Sequence, residues 1–150
     1  MELTHSIPIT KIYQKPYSTV YSPTDTIKSP EDGVAAVAPL IAHTDREHFV
    51  VVCLNTKNKI MHLEVVHIGS LNSCLVHPRE IFKLSILTNA AGILCVHNHP
   101  SQNIAPSEED IKLTQRLSEA GELIGIELLD HLIINNNNEY YSMKEFNHIS

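Results

Sequence analysis

The stretch His97-Asn98-His99-Pro100-Ser101-Gln102-Asn103-Ile104-Ala105-Pro106-Ser107-Glu108-Glu109-Asp110 holds residue types that bind divalent metals, at a spacing that can bring them together. Two histidines at i and i+2 on an extended strand end point to the same side of a sheet. Asp110 falls in the first turn of the helix that follows. A strand end, a loop and a helix start can therefore fold back and set its carboxylate against the two imidazoles. Two neutral nitrogens and one carboxylate leave the fourth position of a tetrahedral Zn²⁺ open to water. The metal lowers that water's pKa towards neutrality and makes it a nucleophile. The same residues have a plainer use. Ser107-x-x-Asp110 spells a capping box, which helices use with or without a metal, and Pro106 suits an ordinary helix start. Spacing alone leaves both readings standing.

The surrounding elements must supply that geometry. Residues 92–97 (GILCVH) read as a buried strand stopped by Pro100, and residues 101–106 as a loop. Residues 107–123 form the strongest helical pattern, with Ile111, Thr114, Leu117, Ala120 and Ile124 on one face. Upstream, Ser29-Pro30-Glu31-Asp32 marks a helix start, with Ser as N-cap, Pro in the first position and acids in the first turn; this helix runs to about His43, with Pro39 as a kink. Residues 48–55 are a β-branched apolar run, 55–58 a turn and 59–69 the returning strand. A helix follows from Pro78 to about Asn89. A strand at 126–134, a turn at 135–138 and a short strand at 140–143 close the chain. Interleaved helices and strands predict a single α/β domain. Residues 1–28 read as an extended N-terminal arm with an edge strand around residues 9–13, and residues 147–150 as a C-terminal tail.

Composition excludes several function classes. With 150 residues and 43% apolar content, the chain suits one packed domain. Seventeen acidic residues face 11 Lys and Arg, a net charge of −6, which argues against a generic nucleic-acid binder. Cys53, Cys74 and Cys95 are widely spaced and form no CxxC, so they read as buried small hydrophobes in a reducing cytoplasm. The N-terminus lacks the pattern of a signal peptide, and no apolar run approaches a membrane span. Ten histidines are a high load, which poses the question of which ones carry chemistry.

HxH, seven residues, Ser, two residues and Asp resembles the JAMM (JAB/MPN) metalloprotease signature. The blocks VHPREIFK (76–83), HNHPS (97–101), PSEEDIKLTQRL (106–117) and LLDHLII (128–134), in this order, are similar to the bacterial RadC-like JAB-domain family over residues 29–146. The resemblance implies a cytidine-deaminase-like α/β sandwich, a mixed β-sheet flanked by helices. It implies one zinc per chain bound by His97, His99 and Asp110, with Ser107 supporting the oxyanion of a tetrahedral intermediate. The family also uses an upstream Glu as general base, just after the first long helix. Glu47 meets that position, with Glu64 on the following strand as the alternative. Two departures stand out. Gln102 replaces the Gly that usually follows HNHPS, which predicts a different loop path, and the upstream arm is too short and too poor in Gly and Lys for the family's helix-hairpin-helix DNA-binding region.

The remaining histidines receive separate readings. Asp130-His131 is either a pair steering a metal ligand and the substrate groove or a hydrogen-bonded core pair. His77 suits the cap of the helix at Pro78, whereas His62 and His67 lack ligand spacing. His5, His43, His48 and His148 read as surface or terminal residues. The expected function is a zinc-dependent metallopeptidase acting on a peptide or protein substrate. The competing classes are a DNA-repair accessory protein and a non-catalytic metal-binding domain that recognises peptides by strand addition. Oligomeric state leaves no signal.

Overall fold

In the computed structural model, which describes residues 1–70 and 76–149, the apolar run HFVVVCL forms strand β1 (His48–Leu54). It is buried at every position after the first, because helices cover both of its faces. Phe49, Val51 and Cys53 join one apolar cluster, while Val50, Val52 and Leu54 join a second cluster on the opposite face. Helix α1 (Pro30–Ile41) covers this second face. Ser29 starts it as one half of a capping box with Asp32, and Pro39 lies within it.

Strand β2 (Ile60–Ile68) returns antiparallel to β1 through a turn in which Asn58 takes a positive φ of 59°. Asn55 fastens that turn by accepting the amides of Lys57 and Lys59 on Oδ1. After β2 come helix α2 (Pro78–Leu87), strand β3 (Gly92–Asn98), helix α3 (Glu108–Ile124), strand β4 (Glu127–Ile134) and strand β5 (Tyr140–Ser142). The five strands make one mixed sheet in the order β2-β1-β3-β4-β5. Only β3 and β4 run parallel, joined by the crossover through α3, as a parallel pair requires. Helices α2 and α3 cover the first face with Ile81, Phe82, Leu113 and Leu117. This is the expected α/β architecture, among the described residues a single mixed sheet flanked by three helices.

Some local expectations are corrected. Residues 9–13 form no strand, and Ile9, Ile12 and Tyr13 are exposed. Pro8 and Pro16 bracket that segment, and an isolated extended stretch has no ladder to hold it. The segments set apart as arm and tail touch the fold near its margins. Thr26 bridges to Lys59, Ile27 is buried, and Ile149 enters the core beside the His148–Tyr141 hydrogen bond. The buried stripe of α3 is Asp110, Leu113, Thr114, Leu117 and Gly121, whereas Ile124 is 44% exposed. The stripe centres on the expected face, with Ile111 and Ala120 packed at its margins, and it also takes in the buried Asp110. Cys53 and Cys95 are buried free thiols, and burial pushes the Cys53 thiol up to about 11. Cys74 lies outside the described residues. Among the described residues no helix is long and apolar enough to cross a membrane.

Candidate metal centre

Alternation along the end of β3 sorts the three residues His97, Asn98 and His99. His97 sits opposite Phe49, on the face covered by α2 and α3, and is fully buried. Asn98 turns to the other face. His99 continues the pairing with β4 through its amide, 3.0 Å from the Ile134 carbonyl, and returns to the side of His97. Helix α3 brings in the third group. Ser107 is its N-cap, accepting the Asp110 amide at 3.0 Å, and the Asp110 carboxylate accepts the Ser107 amide at 2.9 Å. The capping box anticipated from the sequence is therefore present, and it aims the same carboxylate at the imidazoles.

The three side chains converge. His97 Nε2 lies 3.1 Å from His99 Nε2 and 3.4 Å from Asp110 Oδ1, and His99 Nε2 lies 3.2 Å from Asp110 Oδ2. A tetrahedral zinc with bonds of about 2.0–2.1 Å would set its ligand atoms about 3.3–3.4 Å apart, so these three positions fit the group. The donor set fits as well. His99 Nδ1 lies 2.7 Å from the Asn103 carbonyl, which can only accept, so His99 carries its proton there and turns a lone pair on Nε2 inward. This buried group can hold a metal ion.

Electrostatics follow from burial and mutual contact. Burial alone would raise the Asp110 carboxyl, but its close contacts with the His97 and His99 imidazoles outweigh that and hold it well below the usual carboxylate range. Burial pushes His97 down, against the pull of Asp110. In His99 burial is outweighed by the Asp110 and Asn103 contacts, so its pKa is raised.

The cluster opens on a cleft of about 640 Å³ lined by Glu47, Gly69, Ser70, His99, Ser107 and Asp110, among others. Glu47 reaches into it from the loop between α1 and β1, with Oε1 3.9 Å from His99 Nε2. Its own carbonyl accepts the Gly69 amide at 2.8 Å, which ties this loop to the end of β2. Glu64 is placed elsewhere, opposite Val51 in the middle of β2 and away from the cleft lining, with Oε2 buried and without a hydrogen-bond partner.

Asn98 is a site residue that sequence reasoning missed. Its Oδ1 accepts the His48 amide at 2.7 Å, and its Nδ2 donates to Thr44 Oγ1 and to the Arg46 carbonyl, each at 3.0 Å. It thus pins the loop that presents Glu47. Alternation tells only that the middle residue of an HxH strand end faces away from the ligands; it does not name the partners of Asn98.

The Asp130-His131 pair is split by the same alternation. His131 lies beside the site, with Nε2 2.7 Å from His97 Nδ1 and Nδ1 2.6 Å from Thr114 Oγ1. Asp130 faces the α1 side, where it accepts from the His131 and Lys144 amides and the Ser142 hydroxyl. Its work is to fasten the C-terminal turn. Gln102 takes a φ of 71°, the left-handed backbone that favours glycine, so the loop keeps a turn that Gly would make easily. Its Oε1 accepts the Asn136 amide at 2.8 Å, which fastens the loop to the β4–β5 turn. His77 caps α2, accepting the Arg79 amide at 3.1 Å.

Comparison with known proteins places this geometry in a lineage. The profile of the RadC-like JAB domain matches residues 27–148. A UPF0758 protein of Geobacillus thermodenitrificans (strain NG80-2) is 50% identical over 135 residues, covering 90% of this chain and 58% of the relative. The UPF0758 protein YsxA of Bacillus subtilis (strain 168) is 54% identical over 119 residues, covering 79% of this chain and 51% of the relative. The chain thus spans somewhat more than half the length of these curated relatives. With the profile matching most of the sequence and the sheet and His-His-Asp cluster in place, the chain belongs to the RadC-like JAB domain family.

Proposed function

We propose that the chain is a zinc-dependent metallopeptidase-like hydrolase of a peptide or isopeptide bond. His97, His99 and Asp110 hold the metal, Glu47 is the general base and Ser107 supports the oxyanion. The observation that carries this reading is the position of Glu47, whose carboxylate lies at the mouth of the His-His-Asp cluster in the cleft. When bound there, zinc supplies Lewis acidity that makes water a nucleophile near neutral pH. Glu47 accepts the proton of the attacking water as its oxygen bonds to the scissile carbonyl carbon. It returns that proton to the leaving nitrogen as the C–N bond breaks. Ser107 Oγ already accepts the Asp110 amide, which leaves its one hydroxyl hydrogen to donate towards the developing oxyanion. The proposal sets the chain in a reducing cytoplasm, where the buried thiols of Cys53 and Cys95 stay free.

Metal analysis should find one zinc per chain, lost in His97→Ala and in Asp110→Ala. Glu47→Gln should keep the zinc and lose hydrolysis of a peptide library. Zinc at full occupancy in either ligand variant, or equal turnover by wild type and Glu47→Gln, would overturn the assignment. A second reading, peptide recognition without catalysis, is favoured by the position of β2 at the sheet edge next to the cleft. It predicts peptide binding that Glu47→Gln leaves intact, with no turnover in either protein.

A further inference from the structure

We propose that His131 and Thr114 form a hydrogen-bond relay that fixes the tautomer of His97, keeping its proton on Nδ1 so that Nε2 faces the ligand cluster as a bare lone pair. This deepens the metal-site reading and rests on it. His97, Thr114 and His131 are all 0% exposed, so water cannot replace any member of the chain. An imidazole–imidazole contact of 2.7 Å needs one donor and one acceptor, and His97 Nδ1 to His131 Nε2 admits either direction.

Thr114 decides between them. Its hydroxyl has a single hydrogen, and the Asp110 carbonyl, one turn back along α3 at 2.7 Å, can only accept it. With the hydrogen spent there, Thr114 Oγ1 must accept from His131 Nδ1 at 2.6 Å. His131 Nε2 is then bare and accepts from His97 Nδ1–H, so the lone pair of His97 emerges at Nε2. The reverse direction would leave His97 no nitrogen for a metal, and it would set a bare His131 Nδ1 against Thr114 Oγ1 as two acceptors, because the one hydroxyl hydrogen is given to the Asp110 carbonyl. Both histidines of the HxH pair are then set alike from behind, His99 by the Asn103 carbonyl and His97 by this relay. Phe49 packs on both relay imidazoles, with ring centroids 6.0 Å from His97 and 5.3 Å from His131, which holds the rings in register. The relay also ends on the backbone of Asp110, so it couples one ligand's tautomer to the helix turn that carries another. His131 and Thr114 are positioning residues.

The test reads the proton directly. Long-range ¹H–¹⁵N NMR of the ring nitrogens, on metal-free protein at mildly alkaline pH, should show His97 and His131 both protonated on Nδ1. Thr114→Val should move His97 towards the Nε2–H form and weaken zinc binding about 10- to 100-fold, whereas Thr114→Ser should restore both. A wild-type His97 protonated on Nε2 overturns the relay, as does a folded Thr114→Val with unchanged tautomer and zinc affinity. If Thr114→Val does not fold, the wild-type tautomers still decide. The readout needs no turnover. A protein with the predicted tautomers but no hydrolysis would fail the peptidase proposal alone, and one with active zinc but the wrong tautomer would fail the relay alone.

Discussion

Ser107 uses one oxygen for two tasks that can be separated by experiment. As N-cap it accepts the Asp110 amide, and as a hydroxyl on the cleft wall it keeps a hydrogen to donate. Ser107→Ala removes both. Loss of a cap costs about 1 kcal/mol of stability, and loss of an oxyanion donor costs about 10²- to 10³-fold in rate. The expected variant is therefore folded, slightly less resistant to urea and still loaded with zinc, with hydrolysis reduced by the larger factor. A rate loss no greater than its stability loss implies would reduce Ser107 to a helix cap. The sequence showed both readings of Ser107 and Asp110 as competitors, and the structure has them coexist, since one carboxylate caps the helix and faces the imidazoles. Asn98 was not legible in the same way. Its partners, Thr44, Arg46 and His48, are some 50 positions away, and no local pattern in the sequence announces a contact at that separation.

Both asparagine hairpin turns use one device at the level of elements. Asn55 and Asn135 each accept two amides further along the turn on Oδ1, and Asn58 and Asn138 each take a φ of 59°. Asn tolerates that left-handed backbone better than most residues, which is why the turns were readable from composition. Gln102, in the loop between β3 and α3, is the harder case, because its φ of 71° opposes its residue type. Left-handed backbone costs about 1–2 kcal/mol for a residue with a Cβ, and the two side-chain bonds to Asn136 and Pro100 offset roughly 1 kcal/mol each. Gln102→Ala keeps the strain and loses both bonds, so urea unfolding should show a loss of about 1–2 kcal/mol. Gln102→Gly loses the bonds and the strain together and should lie near wild type. Equal stability of the Ala variant would mean that the fastening to the β4–β5 turn contributes nothing. The side-chain bonds of Gln102 thus supply what its backbone lacks. The face of α3 is legible from its apolar residues except at its two ends, where Asp110 is buried and Ile124 is exposed. A face chosen by apolar residues skips Asp110, and the buried stripe starts there.

At the scale of the whole molecule, helices on both faces of the sheet seal the back of the metal centre inside the sandwich, which makes its protonation a property of the entire fold. His97 and His131 are fully buried, and burial pushes both below the ordinary value of about 6.5. Below pH 6.5 the unfolded chain therefore binds protons at these two positions that the folded chain refuses. Stability at these positions is fully present above about 6.5. It is lost as pH falls from there towards the folded values, at up to about 1.4 kcal/mol per pH unit for each imidazole. His99 has the opposite sign, since its contact with Asp110 raises it; its contribution builds as pH falls through the raised value and is complete below about 6.5. Asp110, held low, adds a loss only in the more acidic range beneath the ordinary carboxylate value. The windows separate. Melting of the chelator-treated protein should peak close to pH 7, decline steeply between about pH 6.5 and 5 with the two sealed imidazoles, and decline again in stronger acid. A melting temperature that climbs on acidification through pH 6 would show that the folded interior accepts those protons, and would remove the neutral His97–His131 pair on which a ready-made zinc site depends.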